Sequence, residues 1–426
     1  MSLALSLSGL NGAAKAIDVI GNNIANSQTI GFKTSKVRFA DVYASLPFSG
    51  PSSSSGIAGV STSVINQQFT QGNLIQSSNP LDMAISGTGF FRLNDGGSIT
   101  YSRDGQFQLA YDPETPDRRF LVNRTGLGVT GYLAEYTVDP QGVIATSAVP
   151  QNISIDPVMP AATTSTVSLS ATLDARAGLP SVAPFDPANA QTYSNTTAVT
   201  VFDSTGASHE LRMYFTKSSP GNLWDLHTTV DGGSQAGPSS LSFDTSGQMT
   251  TVMPLAAQTY ALTNGGSLSV ALDFSGTVQY GRSFSVDSTT QDGYREGAID
   301  DSSGFSVGTD GVIHAFYTNG QSRKVAQIVL ASFVNPNALI SLGDNQWMEN
   351  ADPVFGSGVV SLDTPGRSTG DKPLGLGTIT GGAKEQSNVD LSTELVALIE
   401  QQRNYQASAQ TFKILDQVLQ NLVNVR

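Results

Sequence analysis

The sequence predicts a mainly β protein whose two ends are α-helical. Three observations support this fold class. The chain is rich in glycine and poor in charge, with 43 Gly and 13% charged residues among 426, a composition typical of strands joined by many turns. Apolar residues recur at helical spacing at the two ends. Short alternating runs bounded by turn residues fill the middle.

The first 24 residues predict one amphipathic helix. Its apolar residues follow steps of four and three along a single helix face, interrupted once at Gly21: Leu3, Leu7, Leu10, Ala14, Ile17 and Ile24. The pattern ends in the polar stretch NNIANSQTIGFKTSK, residues 22–36.

The last forty residues predict a second, longer helix with the same spacing. The residues that follow this spacing are Leu391, Leu395, Leu398, Gln402, Tyr405, Ala409 and Phe412, and after a phase shift Leu415, Leu419 and Leu422. Either Asp390 or Ser387 can cap the N-terminus of this helix, and Glu394 lies in its first turn.

The two stripes allow two arrangements. They can pair as one antiparallel hairpin within a single molecule, or they can pack against copies of the same chain. Helices of ~22 and ~35 residues span about 33 and 52 Å, which is long for one hairpin and favours self-association. A head-to-tail contact between copies that does not close generates a helical filament.

The region between the helices predicts antiparallel β-structure in more than one domain. Runs such as TAVTVFD and HELRMYFTK alternate apolar and polar residues. Asp-Gly or Asp-x-x-Gly turns recur between the runs, at residues 104–105, 139–142, 203–206, 244–247 and 310–311. An aspartate at the first position of a turn hydrogen-bonds its own backbone, so these turns need no metal ion. Pro-rich stretches at 149–164 and 178–190 mark candidate linkers.

Charge and composition exclude several functional classes. The net charge of −13 argues against binding to nucleic acid, and the absence of cysteine excludes disulfides and thiolate metal sites. No run of about 18 apolar residues predicts membrane insertion. The N-terminus lacks the basic and continuous apolar regions of a cleaved signal peptide.

The motifs offer little chemistry. GLGVTG, residues 126–131, matches a dinucleotide-binding fingerprint, but a strand-like run follows it, so we expect a glycine-rich strand connection. His209, His227 and His314 lie on separate β-like runs without metal-ligand spacing. We expect no catalytic residue, no metal site and no cofactor.

Several blocks of sequence are more specific. They are SLSGLNGAAKAIDVIGNNIANSQTIGFKTSKVRFAD near the start, LDMAISGTGFF (81–91), YSRDGQF (101–107), GLGVTGY (126–132) and SNVDLSTELVALIEQQRNYQASAQTFKILDQVLQNLV near the end. In this order they resemble the bacterial flagellar axial proteins, the rod and hook family, over about half of the chain. A long segment separates GLGVTGY from QDGYREG (291–297). This insertion is similar to the hook branch of the family rather than to the shorter rod branch.

The resemblance implies a structural subunit, not an enzyme, that self-assembles into a curved, flexible tube. Such a tube would be a universal joint that transmits torque from rod to filament and encloses the export channel. The implied partners are many copies of the chain in a helical tubular homopolymer, the distal rod protein, the hook cap and the hook–filament junction proteins. The implied location is the extracellular flagellar hook, reached by type III export without a cleaved signal peptide. A distal rod or other axial protein, or a secreted β-rich adhesin, is the alternative.

The resemblance also implies a nested domain layout. Residues 1–24 and 386–426 would form a helical, coiled-coil-like inner tube, and residues 25–80 and 361–385 a connector. Residues 81–147 and 285–360 would form an inner antiparallel β domain. An outer antiparallel β domain, residues 148–284, would be inserted in the inner one.

Two sets of residues are expected to serve assembly. The first is the helical stripe of Leu3, Leu7, Leu10, Ile17, Ile24, Leu391, Leu395, Leu398, Tyr405, Phe412, Leu415, Leu419 and Leu422. The second is the joint between helix and connector, formed by Asn26, Thr29, Gly31 and Phe32. There, Asn26 and Gly31 would allow a left-handed turn out of the helix, and Phe32 would anchor the connector.

Three lysines near the connector carry further expectations. Lys33 and Lys36 would be solvated or paired with a neighbouring copy. Lys384 stands where the family usually has a leucine, which puts in doubt how the connector packs before the C-terminal helix.

Overall fold

The computed structural model of the chain describes residues 2–44, 56–111, 118–137, 139, 141–219, 221–300, 304–352, 356–358, 361–366 and 375–424. Within these ranges the side chains of residues 2–5, 41–44, 56–63, 361, 419 and 421–424 are not described. The predicted fold class is confirmed, because long helices lie at the two ends and strands lie between them. Over the described residues, no helix combines the length and apolar character needed to cross a membrane.

The elements follow one another in a simple order. The helices are α1 (Ser2–Ala25) and α2 (Leu391–Asn424), with 3-10 turns at Ala190–Thr192 and Pro336–Ala338. The first strands after α1 are β1 (Ser35–Ala44), β2 (Gly56–Gln67), β3 (Leu74–Gln76), β4 (Met83–Ser86), β5 (Phe90–Asp95), β6 (Ser98–Ser102), β7 (Phe107–Tyr111), β8 (Arg119–Asn123), β9 (Gly128–Glu135), β10 (Val143–Ile144), β11 (Gln151–Asn152) and β12 (Ser154–Ile155).

The remaining strands fall into two groups. The central group is β13 (Val158–Met159), β14 (Thr166–Asp174), β15 (Asn195–Phe202), β16 (Ser208–Ser218), β17 (Leu223–Val230), β18 (Gln235–Ser242), β19 (Gln258–Ala261), β20 (Ser267–Asp273), β21 (Val278–Tyr280), β22 (Ser285–Gln291) and β23 (Gly297–Ala298). The last group is β24 (Phe305–Val307), β25 (Val312–Phe316), β26 (Ser322–Ile328), β27 (Leu330–Ser332), β28 (Ile340–Gly343), β29 (Gln346–Met348), β30 (Ser361–Asp363), β31 (Thr378–Gly381) and β32 (Ala383–Glu385).

The chain divides into two compact units. Unit 1 consists of Met1–Pro157, Asp301–Phe316 and Ser322–Arg426, and unit 2 of Val158–Asp300 and Tyr317–Gln321. The four-part layout expected from the sequence is finer than this division and stays a prediction.

Unit 1 contains the helices and one large antiparallel sheet. The main path of this sheet runs β24-β25-β26-β9-β5-β6-β29-β28. Two small ribbons, β3 with β32 and β4 with β31, pair segments that follow α1 with segments that precede α2. The segment that follows α1 is therefore hydrogen-bonded to the segment that precedes α2, within the same unit as the large sheet.

Aromatic rings fill one part of the unit 1 interior. Phe90 makes edge-to-face contacts with Phe69, Phe333 and Trp347, at ring-centroid distances of 5.4–5.8 Å. The indole of Trp347 donates a hydrogen bond of 2.7 Å to Oε1 of Gln67. This pairing satisfies the polar end of a buried ring, as buried tryptophans require.

Unit 2 packs two sheets around one core. One sheet has the order β15-β16-β17-β18, and the other has β19-β20-β14-β21 with β22 paired to β14. Buried residues from both sheets form a single cluster, so the period-two alternation of β16 and β20 reflects one face turned inward. The pairings are antiparallel except that β14 runs parallel to β20 and β21.

The recurrent aspartate turns hydrogen-bond their own backbone, as predicted. Oδ1 of Asp203 accepts the N–H groups of Thr205 and Ala207 at 2.8 and 2.9 Å. Asp139, Asp244 and Asp310 make equivalent contacts two residues on. Across the described part of the chain, no group of three or more acidic or imidazole side chains is arranged to hold a metal ion.

His209 links three loops at one end of unit 2. Its Nδ1 lies 2.6 Å from Oδ2 of Asp231 and its Nε2 lies 3.4 Å from Oδ2 of Asp203. Asn264 donates a further hydrogen bond of 2.9 Å to the Asp203 carboxylate. The hydrogen bond to Asp231 is the main cause that raises the pKa of His209, and Asp203 adds to it against the opposing effect of burial.

The contribution of His209 to the stability of unit 2 should therefore fall as pH rises from 6 to 9. His227, whose pKa is lowered by burial, contributes with the opposite sign as pH rises through about 6.5. A histidine whose pKa is raised in the folded state contributes its full stabilisation below the unfolded pKa of about 6.5. It loses this stabilisation as pH rises through the folded pKa. His209→Gln should remove about 1.5–3 kcal/mol of charge-assisted hydrogen bonding at pH 6 and flatten this pH dependence. Urea unfolding at each pH, monitored by the amide hydrogen exchange of β16 and β17, measures this pH dependence.

His314→Gln, on β25 of unit 1, is the matched control and should leave the pH dependence of unit 2 unchanged. If His209→Gln keeps the wild-type pH slope between 6 and 9, the interpretation of this loop link is wrong.

Candidate assembly site at the terminal helices and their base

The two terminal helices lie side by side and run in opposite directions. A Cβ atom on Gly9 would lie 3.3 Å from Oγ of Ser408. Nearer the base of the pair, Ala16 and Val19 line one small cavity with Ala397. Residue numbers rise along α1 as they fall along α2, so the antiparallel pairing within one chain is present in this structure.

The face of α1 that packs within the chain is made of small residues. Ala13, Ala16 and Val19 are buried, and a Cβ on Gly12 would lie 3.3 Å from the ring of Phe39 on β1. This face is adjacent to the predicted stripe rather than identical with it. The periodicity identified the helix, but it did not identify the face that the chain itself covers.

None of the predicted stripe residues with a described side chain is buried. Leu7, Leu391, Leu395 and Tyr405 are exposed, and Leu10, Ile17, Ile24, Leu398, Phe412 and Leu415 are half-buried. The side chains of Leu3, Leu419 and Leu422 lie outside the described ones. The role of the stripe in assembly stays a prediction.

Sequence reasoning missed a second apolar set on α2. Val396, Ile399, Ile414 and Val418 are 53–66% exposed. Val396 and Ile399 are three residues apart, and Ile414 and Val418 are four residues apart. This helical spacing could have identified them. None of the described α2 side chains is buried, so this helix has little apolar packing within its own chain.

Asp390 rather than Ser387 caps α2. Oδ1 of Asp390 accepts the N–H of Ser392 at 2.9 Å, and Thr393 donates its hydroxyl to Oδ2 at 2.9 Å. These hydrogen bonds lower the pKa of Asp390. The cap fixes where the helix begins, because it satisfies N–H groups that have no partner within the helix.

The joint after α1 differs from the prediction at Asn26. Among described non-glycine residues with positive φ, Asn26 is absent, whereas Gly31 has a φ of +72°. The side-chain amide of Asn26 instead donates to the carbonyl of Asn22 at 3.0 Å, and Thr29 donates its hydroxyl to Oδ1 of Asn26 at 3.1 Å. Asn26 therefore gives the Asn22 carbonyl a second hydrogen bond beside the one from its own backbone N–H at 3.1 Å, and between α1 and β1 the left-handed turn is made by Gly31.

Gly31 lies close to the backbone of the residues that follow β6 of the large sheet. Its N–H donates a hydrogen bond of 2.8 Å to the carbonyl of Glu385. A Cβ atom there would lie 2.7 Å from the backbone nitrogen of Asp104. Phe32, the next residue, is half-buried, and its role as an anchor stays a prediction.

Lys33 is neither solvated nor free to pair with a neighbouring copy. It is 1% exposed, and its Nζ lies 2.7 Å from Oε1 of Glu385. Nζ also donates to the carbonyl of Thr70 at 2.8 Å. The expectation for Lys33 was wrong because its partner lies near the other end of the sequence, where no local pattern could indicate it.

Glu385 is the centre of this buried cluster. Its Oε2 lies 3.3 Å from Nη1 of Arg103, which follows β6 in the large sheet, and its Oε1 accepts the N–H of Gly72 at 2.9 Å. Burial lowers the pKa of Lys33 and of Arg103, and the Glu385 carboxylate opposes that effect in both. One carboxylate thus pairs with one cation from the N-terminal segment and with one that follows β6 of the sheet.

Asn388 strengthens the same link. Its Oδ1 accepts the N–H of Thr34 at 2.7 Å, and its amide donates to the carbonyl of Gln68 at 2.8 Å. Asn388 lies in the last of the sequence blocks that carry the family resemblance, but the sequence assigned it no contact.

Lys384 has a partner that explains its place in the connector. Its Nζ lies 3.1 Å from Oδ2 of Asp82, which is 3% exposed. Asp82 also accepts hydrogen bonds from Ser77 and from Asn79. The lysine therefore neutralises a buried acid and packs at the edge of the ribbon, so connector packing does not need a leucine here.

The glycine motif at 126–131 belongs to a strand connection. Gly126 has a φ of +89° in the turn between β8 and β9, and β9 begins at Gly128. No helix follows the motif, so it lacks the helix N-terminus that a dinucleotide pyrophosphate requires.

Comparisons with known proteins match both chain ends and the central insertion. The family model described as flagellar basal body protein FlaE D2 domain matches residues 172–294. Flagellar basal body rod FlgEFG protein C-terminal matches residues 380–425, and flagella basal body rod protein matches residues 3–33. The flagellar hook protein FlgE of Escherichia coli K12 is 41% identical over 433 residues, covering all of both chains.

The chain belongs to the flagellar hook protein family. The hook protein FlgE of Salmonella typhimurium LT2 is 38% identical over 434 residues and also covers all of both chains. That of Borreliella burgdorferi is 30% identical over 468 residues, covering 100% of this chain and 99% of the relative. The crystal structure of Helicobacter pylori flagellar hook protein FlgE2 aligns with 72% of this chain and 98% of its own, with 15% identity and a TM-score of 0.48.

The two terminal family matches contain the cluster at the helix base. Residues 3–33 include Gly31 and Lys33, and residues 380–425 include Glu385 and Asn388. Membership of the hook protein family therefore rests partly on the segments that the buried carboxylate joins.

Glu385→Gln should destabilise unit 1 by about 3–5 kcal/mol, because it leaves Lys33 and Arg103 buried without a compensating charge. Urea unfolding, monitored by the amide hydrogen exchange of β4 and β32, measures this loss in the free energy of unfolding. Glu135→Gln removes an exposed acid from the same unit and should change the free energy of unfolding by less than about 0.5 kcal/mol. Equal stabilities of the two variants would contradict a central role for Glu385.

Gly31→Ala should destabilise unit 1 by about 1–3 kcal/mol, because a side chain there meets both left-handed strain and nearby backbone. Gly21→Ala is the matched control. A Cβ at Gly21 would meet nothing within 4 Å, and alanine in a helix interior is favoured by about 1 kcal/mol. The two substitutions should shift the unfolding midpoint of the monomer in opposite directions, and shifts of the same sign would refute this account of the joint.

Proposed function

We propose that this chain is the structural subunit of a bacterial flagellar hook, and that it assembles with copies of itself into a tube through its terminal helices. The observation that carries the proposal is the apolar surface that α1 and α2 leave uncovered in a member of the hook protein family. Leu7 is 45% exposed, Leu395 is 44% exposed and Val396 is 66% exposed. Soluble monomers seldom leave so many large apolar side chains along one element without a partner.

Burial of these residues supplies a driving force for assembly. Full burial of one leucine or isoleucine contributes about 1.5–3 kcal/mol. Isolated helices of this length are marginal in water and depend on packing of their apolar faces. Neighbouring copies would therefore both cover the stripe and stabilise the helices that carry it.

The remaining parts of the proposal follow the domain layout expected from the sequence. Residues 1–24 and 386–426 line the tube around an export channel, and the outer domain at 148–284 lies away from it. Low charge and abundant Ser, Thr and Gly suit wet contacts between β domains, which can shift without large desolvation costs. Such contacts would let the tube curve and flex while it transmits torque.

The proposed setting is the extracellular hook, reached through the flagellar type III apparatus without a cleaved signal. In that setting the homopolymer would end at the distal rod protein on one side. The hook cap during growth, and the hook–filament junction proteins afterwards, would occupy the other side.

Leu7→Asp and Leu395→Asp should each prevent or weaken assembly while the monomer stays folded. Losing about 1.5–3 kcal/mol of burial per contact raises the monomer concentration in equilibrium with polymer by at least about 10-fold. Sedimentation measures that concentration, electron microscopy shows the product, and urea unfolding checks the monomer.

Val149→Asp, which changes a residue of unit 1 that is 78% exposed and lies off the helices, should assemble as the wild type does. A wild-type chain that stays monomeric at high concentration and binds a glycan would instead indicate the adhesin alternative.

A further inference from the structure

The strand β28 lies at an open edge of the large sheet in unit 1. It pairs with β29 on one side and with no described strand on the other. All four of its residues are exposed, and Ile340 and Leu342 are 42% and 51% exposed. Because side chains alternate along a strand, these two lie on the same face.

This edge lacks the charge and proline that often protect edge strands from pairing. Native edges are also blunted by short strands and by β-bulges, and β28 has only four residues with a register shift between Ser341 and Gly343. Its sequence ISLG holds no lysine, proline or charged residue, so the backbone ahead of the bulge is the part open to a partner strand. An unpaired backbone edge flanked by two large apolar side chains is a template for a further strand.

A cleft of about 470 Å³ opens beside this edge, at the base of α1. Ser341 and Asn345 of the β28–β29 hairpin line one part of it, and Asn22 and Asn26 of α1 line another. The amides of Asn345 and Asn26 already donate to the carbonyls of Ile30 and Asn22. The Ser341 hydroxyl and the Asn22 amide are the polar groups that the cleft offers next to the strand edge, which suits an extended peptide rather than an apolar ligand.

Arg124 gives the cleft an accessible positive charge. It lines the cleft, is exposed, and makes no hydrogen bond or ion pair within 4 Å among the described residues, although its charge acts on the Asp104 carboxylate. Asp344 is the acid in the same lining, and Lys33 is paired with Glu385. The chain carries 35 acidic and 22 basic residues, so a second copy brings a net negative charge toward this exposed cation.

We propose that β28 and this cleft receive an extended segment of a second copy, which pairs as a strand with β28 and places a carboxylate on Arg124. The inference rests on the proposed function, since the occupant is a neighbour in the homopolymer. It adds a strand-pairing contact in the β part of the subunit to the helix contacts proposed above.

Cross-linking from β28 identifies the occupant. The chain has no cysteine, so Leu342→Cys can be labelled at one position with a benzophenone maleimide. In polymer, irradiation should join position 342 to an acid-bearing segment of another copy, identified by mass spectrometry of mixed light and heavy chains. Val143→Cys on β10, at a residue 48% exposed, is the control and should not join that segment. Products confined to one chain, or to a protein other than this one, would overturn the proposal.

Charge substitutions test the energetics. Leu342→Lys and Arg124→Glu should each raise the monomer concentration in equilibrium with polymer about 10-fold or more, with the urea unfolding of the monomer unchanged, while Val143→Lys should have no effect. Replacing the cross-linked acid by lysine should restore the assembly of Arg124→Glu. If the wild type and both variants assemble equally well, this inference is wrong and the proposed function stands. If the wild type does not assemble, both are wrong.

Discussion

A single buried carboxylate holds both ends of this chain against one β-sheet. Glu385 pairs with Lys33 from the segment after α1 and with Arg103 from the sheet, and its backbone carbonyl accepts the N–H of Gly31. Removing charges from water is costly, and a buried ion pair often contributes little net stability compared with apolar packing. The buried ion pair instead selects one placement of the two segments, because another placement would leave a charge buried without a partner.

The placement of the terminal helices depends on the cluster around Glu385. α1 ends six residues before Gly31, where the chain leaves through a left-handed turn, and α2 begins shortly after Glu385 under the cap of Asp390. The end of α1 and the beginning of α2 therefore lie at a common base, from which the two helices run alongside each other. The cluster fixes where the exposed apolar residues are presented, although it lies apart from them. A defect at the base should consequently alter assembly through position rather than through lost contact area.

Local patterns in the sequence predicted the elements but not their partners. Apolar spacing identified both helices, and the aspartate turns indicated the hairpins, because each depends on residues close together in the chain. The ion pair between Lys33 and Glu385 joins residues 352 positions apart, and no periodicity encodes such a contact. The stripe of α1 illustrates the same limit: spacing defines a face, but Ala13 and Ala16 pack within the chain on the face beside it. Lys384 looked anomalous for the same reason, since its partner Asp82 is remote in sequence.

The small residues on α1 also have a mechanical consequence. The side of α1 that faces α2 and β1 carries few protruding side chains, because it includes Gly9, Gly12, Ala13 and Ala16. Few side chains therefore interlock across that surface. Interlocked leucines resist axial displacement, because each must leave one gap and enter the next. A smooth surface offers a lower shear barrier. In the proposed tube, bending would shorten the inner wall and lengthen the outer one. A low barrier of this kind would let α1 shift slightly along α2, while the two hydrogen bonds between Asn23 and Ser35 hold its end to β1.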